Sequence, residues 1–217
     1  MTNFKNYAAP PVNKKEILRY AGAKDGRDLP AGMLEAVLAE AEGSVEYKVC
    51  WSFTSVKTGD GVCRFDTFFA PSADLCKCLA GCDRAIIFAA TAGVGVDRLM
   101  SKYGRVSPLK ALLFQALGAE RIEALCDTFC EDISKSEGVM LTPRFSPGYG
   151  DFDISYQKDI FALLDCRKYI GLTLSGSMLM TPSKSVTAIA GLTKAAGEKT
   201  GKCDLCGNKD CAYRGNI

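Results

Sequence analysis

The sequence predicts an α+β fold, and three observations lead there. Stretches with the alternation of strands and stretches with helical periodicity are mixed along the chain. They do not follow the strict strand–helix–strand order that builds a parallel sheet. The chain has 217 residues, 47% of them hydrophobic, enough to enclose a core of ordinary size.

Taken in order, residues 1–13 are polar with a Pro10-Pro11 pair and read as an arm or edge segment. Ile17, Leu18 and Ala21 predict a short helix ending near Gly26. Leu34, Val37, Leu38 and Ala41 have i, i+3, i+4, i+7 spacing, so a second helix is expected over 31–42, stopped by Gly43. Val45 to Val56 alternates over Val45, Tyr47, Val49, Trp51 and Phe53. A turn at Thr58-Gly59-Asp60-Gly61 and renewed alternation over 62–69 complete a β-hairpin. Ser72 has the character of a helix cap, with the helix closing at Gly81. Arg84 to Ala90 (RAIIFAA) is a buried-strand pattern. Ser107-Pro108 opens the longest helical pattern, 107–135, in which Gly118 is the expected point of a bend or division. Ser155 is expected to start a further helix with Ile160, Phe161, Leu163 and Leu164 on its apolar face. Leu172–Met180 and Ser185–Leu192 read as strands joined across Pro182.

Composition excludes several function classes. The net charge of +2 gives no electrostatic footprint for nucleic acid or an anionic membrane. No apolar run nears the roughly 20 residues that span a bilayer, and the N-terminus MTNFKNYAAPPVNKKE lacks the apolar stretch of a signal peptide. A cytoplasmic location is the expectation. There are 11 Cys and no His. Without His, a Ser-His-Asp or Cys-His nucleophile cannot be built within the chain, and any metal must rest on thiolates or carboxylates.

The run Pro143-Arg144-Phe145-Ser146-Pro147-Gly148-Tyr149-Gly150 is the candidate binding segment. Two Pro and two Gly keep it out of a helix interior or a central strand, so it is a loop. Arg144 offers a planar fork of donors suited to a carboxylate. Gly148 permits close approach of a ligand, and Tyr149 offers a ring face and a hydroxyl, a face that attracts a sulfonium. The same residues also suit a plain Pro/Gly turn whose Arg makes a surface ion pair.

A longer pattern bears on that choice. Arg144, Pro147, Gly148 and Tyr149 are followed by Leu163-Leu164-Asp165, Ile170-Gly171, Leu174-Ser175, Ser177, Met180, Pro182 and Ser185-Val186. In order and spacing this resembles the activation domain of cobalamin-dependent methionine synthase, over about 50 residues. The region 96–133 resembles it more loosely, and residues 1–95 carry no comparable motif. The resemblance implies a bent antiparallel sheet flanked by helices. It implies that S-adenosylmethionine is bound, with Arg144 on its carboxylate and Ser146, Gly148 and Tyr149 lining the pocket. It also implies a role in reductive methylation, the reactivation of an oxidised cobalamin on a corrinoid-binding methyltransferase such as a methionine synthase. There a flavodoxin- or ferredoxin-type donor supplies the electron. Catalysis of that kind needs position and field rather than a base. Two departures stand out. An aromatic pair that the family places after its Ser-Val is replaced by Ala190 and Gly191, and the family's acidic residues for the ligand's amino group have no clear match. Cobalamin-, folate- and homocysteine-binding parts are also lacking, so the expected corrinoid partner is a separate protein.

The tail KCDLCGNKDCAYR adds a feature that the family lacks. Cys203, Cys206 and Cys211 have the reach to place three thiolates on one metal, zinc or an iron–sulfur cluster, with Cys50, Cys63, Cys166 or an external group as the fourth ligand. A metal- or iron–sulfur-containing electron-transfer or scaffold protein that keeps the fold without binding S-adenosylmethionine is therefore the alternative function. Cys76, Cys78, Cys82, Cys126 and Cys130 read as packing residues. The expected organisation is an N-terminal portion (1–95) packed on the same domain, an activation-domain-like core (96–196) and a Cys-rich tail (197–217).

Overall fold

Strand β5 (Arg84–Thr91) is the spine of the sheet, and all but its first residue are buried. A computed structural model of the chain describes residues 1–23 and 28–193. On one side of β5 runs β2 (Lys48–Gly59), with Phe53 opposite Ile86; on the other runs β9 (Ser185–Thr193), with Ile189 opposite Ile87. The outer edge of β2 takes two partners in succession. Its first residues pair with β1 (Asn3–Asn6) and its last with β3 (Val62–Phe65). With β4 (Phe69–Pro71) and β6 (Met140–Leu141) the order is β4-β3-β2-β5-β9-β6, β1 lying on β2, and every pairing is antiparallel. The predicted hairpin is present, and its loop is the two residues Asp60 and Gly61, with φ of 52° and 72°. Two successive left-handed residues match the twist of the flanking strands.

The α+β expectation holds in this sheet and in seven α-helices among the described residues. One face is covered by α5 (Pro108–Glu137). Its Ile122, Leu125, Cys126, Phe129 and Ile133 pack on Val49, Ile86, Phe88, Ala188 and Ala190. The alternating Val45, Tyr47, Val49, Trp51 and Phe53 all belong to this face. The other face is covered by α3 (Ala73–Cys78), α6 (Gln157–Leu164) and α7 (Cys166–Ile170), which enclose Cys50, Val56, Ile87 and Ile189. The N-terminal half of α5 extends past the sheet. It makes its own core with α1 (Lys14–Tyr20), α2 (Met33–Ala41) and α4 (Gly95–Tyr103) through Ile17, Leu34, Val37, Leu99, Leu113 and Phe114.

Several expectations need correcting. The first helix ends at Tyr20, well before Gly26. Residues 95–103 form α4, and Phe69–Pro71 adds β4; neither was anticipated. Leu109 and Leu112, apolar positions in the helical pattern that opens at Ser107, are exposed rather than buried, because only one side of the first turns of α5 meets other helices. Asp153, not Ser155, caps the segment before α6: its side chain accepts from the Ser155 N–H, and a 3-10 turn (Ile154–Tyr156) leads into the helix. Leu172–Met180 is not one strand. It contains β7 (Thr173–Leu174), a turn with Met178 at φ 62°, and the start of β8 (Met180–Thr181), which pairs only with β7. Gly118 does not divide α5. A Cβ there would lie 2.8 Å from Val96 Cγ1 and 2.7 Å from Lys184 Cγ, so the glycine lets α4 and the segment before β9 pack close to the helix.

Candidate functional site

The loop that carries the Arg-x-x-Pro-Gly-Tyr run is set by β9. Past β6 the chain continues along the same edge. The Thr142 N–H donates to the Gly191 carbonyl at 2.9 Å, and Phe145 and Ile189 exchange two backbone bonds of 2.9 Å each. Extended backbone sends successive side chains to opposite faces. Phe145 enters the core beneath α3, α6 and α7. Arg144 leaves on the other side, toward α5.

There its guanidinium donates to Asp127 Oδ1 at 2.6 Å and to Glu123 Oε2 at 2.7 Å. The two acids stand one turn apart on α5, so both face the loop. The Arg144 side chain is only 11% exposed. Burial works against its charge, but the Glu123 and Asp127 carboxylates outweigh that, and its pKa is raised. Each terminal nitrogen spends one N–H on a carboxylate, Nη1 also faces Cys130 Sγ at 4.0 Å, and a guanidinium carries five N–H groups.

The rest of the loop is a closed turn. The Ser146 carbonyl accepts from the Tyr149 N–H at 3.1 Å, Gly148 N–H donates to the Phe152 carbonyl at 2.7 Å, and Phe152 N–H donates back to Tyr149 at 2.9 Å. Gly148 has φ of 94° and Gly150 of 52°. A Cβ on Gly150 would sit 2.5 Å from Asp74 Oδ2 and in a left-handed backbone, so a glycine suits the close approach of the loop to α3. Ser146 is half-buried; Gly148 and Tyr149 are exposed. The Tyr149 ring meets the Phe145 ring edge-on, with centroids 6.5 Å apart. Of the four residues singled out from the sequence, Arg144 is thus set against α5, while Ser146, Gly148 and Tyr149 form the turn beyond Phe145.

Glu123 and Asp127 escaped sequence reasoning. Their signal is faint, two acids at i, i+4 in a long helix, and only the fold brings them to a loop 17 and 21 residues further along. Ala190 and Gly191, the positions of the missing aromatic pair, lie inside the sheet. Ala190 is fully buried against α5, and a Cβ on Gly191 would come within 2.5 Å of Cys82 Sγ. Small residues there are a packing requirement.

A groove of about 900 Å³ opens elsewhere, between the N-terminal arm, the end of α2 and α5. Tyr7, Pro10, Leu38, Val45 and Tyr47 are among its walls, and none of Arg144, Ser146, Gly148 or Tyr149 is. Cys203, Cys206 and Cys211 lie outside the described residues. Among the described residues no three His, Cys, Asp or Glu side chains converge on a possible metal position. Cys50, Cys63 and Cys166 are fully buried, and no described helix is long and apolar enough to cross a membrane.

A sheet backed by one long helix, with a loop bearing a buried arginine along its edge, defines an α+β module. The family model for the vitamin B12 dependent methionine synthase activation domain matches residues 72–203, and the chain belongs to that family. Its fold is similar to that in the crystal structure of the MetH reactivation domain bound to AdoHcy. The TM-score is 0.65 at 13% identity, over 91% of this chain and 80% of that one. No curated protein matches the sequence.

Proposed function

We propose that this chain binds S-adenosylmethionine and supports reductive methylation, the reactivation of a cobalamin-dependent methyltransferase such as a methionine synthase. One observation carries the reading: Arg144, at the head of the Pro-Gly-Tyr loop, is held between Glu123 and Asp127. The methionine end of the ligand presents a carboxylate, an ammonium and a sulfonium, one negative and two positive charges. The cluster presents the complement, one positive and two negative.

Arg144 would hold the carboxylate with N–H groups not spent on its own acids. Glu123 and Asp127 would take the ammonium. Tyr149 would offer its ring to the sulfonium, and the backbone at Ser146 and Gly148 would line the approach. When bound, S-adenosylmethionine supplies the methyl group, for which the corrinoid of a partner protein is the acceptor. The chain's task is to bind and orient, which requires no general base and suits a sequence without histidine. The electron would come from a flavodoxin- or ferredoxin-type donor. Membership of the activation-domain family supports this reading.

Titration calorimetry with S-adenosylmethionine tests it. The wild type is expected to bind, and Arg144→Ala to bind at least about 10-fold more weakly, since a charge-assisted bond contributes about 1.5–3 kcal/mol. Absence of binding by the wild type, or equal binding by the variant, overturns the proposal.

A further inference from the structure

On the α3 side of the sheet two thiols meet. Cys63 Sγ, from β3, lies 3.0 Å from Cys76 Sγ, from α3. Closing that separation to the roughly 2.05 Å of a disulfide takes about 1 Å of movement. The two residues differ in access. Cys63 is fully buried, whereas Cys76 is partly exposed; the neighbouring Cys50, Cys78, Cys82 and Cys166 are all buried. An oxidant arriving from solvent on this face therefore meets Cys76 first, with a single thiol directly behind it. The pair also sits under the candidate loop. The first turn of α3 is held by Asp151, whose carboxylate accepts from Ser72 Oγ and from the Ala73 and Asp74 N–H groups, and Gly150 lies against Asp74.

We propose that Cys63 and Cys76 form a reversible disulfide, a thiol switch that fastens α3 to β3 beneath the loop bearing Arg144 and Tyr149. The oxidant is a low-molecular-weight disulfide such as oxidised glutathione. The Cys76 thiolate attacks one of its sulfurs, leaving a mixed disulfide and releasing one glutathione. Cys63 then attacks the Cys76 sulfur and releases the second. Two protein thiols are oxidised, one small disulfide is reduced, and the two protein protons end on the two glutathione thiols. Burial, followed by the hydrogen bond with Cys76, pushes the Cys63 thiol up, which disfavours the thiolate that closure needs; the mixed disulfide on Cys76 is the species that precedes closure. This proposal does not depend on the ligand-binding reading.

The test uses the full chain equilibrated with defined ratios of oxidised to reduced glutathione, alkylated and digested with trypsin. Cleavage after Lys57, Arg64 and Lys77 places Cys63 in peptide 58–64 and Cys76 in peptide 65–77, so their linkage gives one diagnostic mass. The expected result is that this linked pair forms, disappears on adding dithiothreitol, and is absent from Cys76→Ser. In hydrogen exchange, amides of residues 72–78 and 144–153 should be slower in the oxidised protein than in the reduced one, and unchanged by the same treatment in Cys76→Ser. Persistent glutathionylation of Cys76 without linkage, or linkage of Cys63 to a different cysteine, overturns the proposal. So does linkage without any change in exchange of α3.

Discussion

Asp151 caps a helix to which it does not belong. Its Oδ1 accepts from Ser72 Oγ at 2.5 Å, while its Oδ2 accepts from the Ala73 N–H at 2.7 Å. Ser72 in turn accepts from the Leu75 N–H, so one carboxylate and one hydroxyl together satisfy the first turn of α3. Through this pairing the Pro-Gly-Tyr loop and α3 become one unit.

Asp151→Ala is therefore expected to lower stability by on the order of 1 kcal/mol at neutral pH, read as a lower urea midpoint. The bond from Ser72 holds the Asp151 carboxyl below the usual carboxylate range. A depressed folded pKa gives stability that is present above the unfolded value of about 3.9 and lost as pH falls through the folded one. The variant should show a shallower loss of stability in acid than the wild type. An unchanged midpoint and acid slope would show that the cap contributes nothing.

Glu123→Gln removes one of the two anions beside Arg144 while keeping the shape of the side chain. If Glu123 faces the ammonium of S-adenosylmethionine, affinity falls about 10-fold, or about 1.4 kcal/mol, and affinity for an analogue lacking the amino group stays the same. Equal losses for both ligands would mean that Glu123 acts only by holding Arg144.

Gly118→Ala sets two effects against each other. Helix propensity favours Ala by about 1 kcal/mol. The new Cβ would come within 2.8 Å of Val96 and 2.7 Å of the Lys184 stem, an overpacking that costs about 1–3 kcal/mol. Lys184 can shift its stem, whereas Val96 is fully buried and cannot move as freely. The net result should be a lower Tm, measured by calorimetric or circular-dichroism melting; a higher Tm would show that α4 gives way easily.

Arg121 and Glu120 form an ion pair with side chains only 3% and 4% exposed. The guanidinium also donates to the carbonyls of Pro10 and Pro11, and Glu120 accepts from the Asn13 N–H. Arg121→Ala would leave a buried carboxylate without its cation and release the arm. A loss of about 3–5 kcal/mol is expected, with faster proteolysis within residues 1–13. A variant that unfolds like the wild type and keeps the arm protected would contradict this account.

Much of the architecture was legible because it rests on local periodicity. The alternation from Val45 to Phe53 marks one sheet face, the Ser107-Pro108 start marks α5, and Asp60-Gly61 marks a two-residue turn. The elements that were missed carry weak periodicity. Residues 95–103 begin at a glycine with no side-chain cap, and β7 and β8 are two residues each, too short to alternate. The Arg-x-x-Pro-Gly-Tyr run stood out for the same local reason, since Pro and Gly restrict the backbone wherever they occur.

What the sequence by itself determined is the longer, strongly periodic elements, the α+β class and the presence of one chemically loaded loop; these depend on neighbours within a few residues. Only the tertiary structure decided what Arg144 faces. The backbone bonds of Phe145 to Ile189 aim the arginine at α5, and the helix turn between Glu123 and Asp127 places two carboxylates where it arrives. Tertiary structure likewise decided that Ala190 and Gly191 are small because Cys82 and α5 fill the space, and that Cys63 meets Cys76. Such pairings join residues from 13 to more than 100 positions apart and depend on sheet register, in which a shift of one residue turns every side chain to the other face.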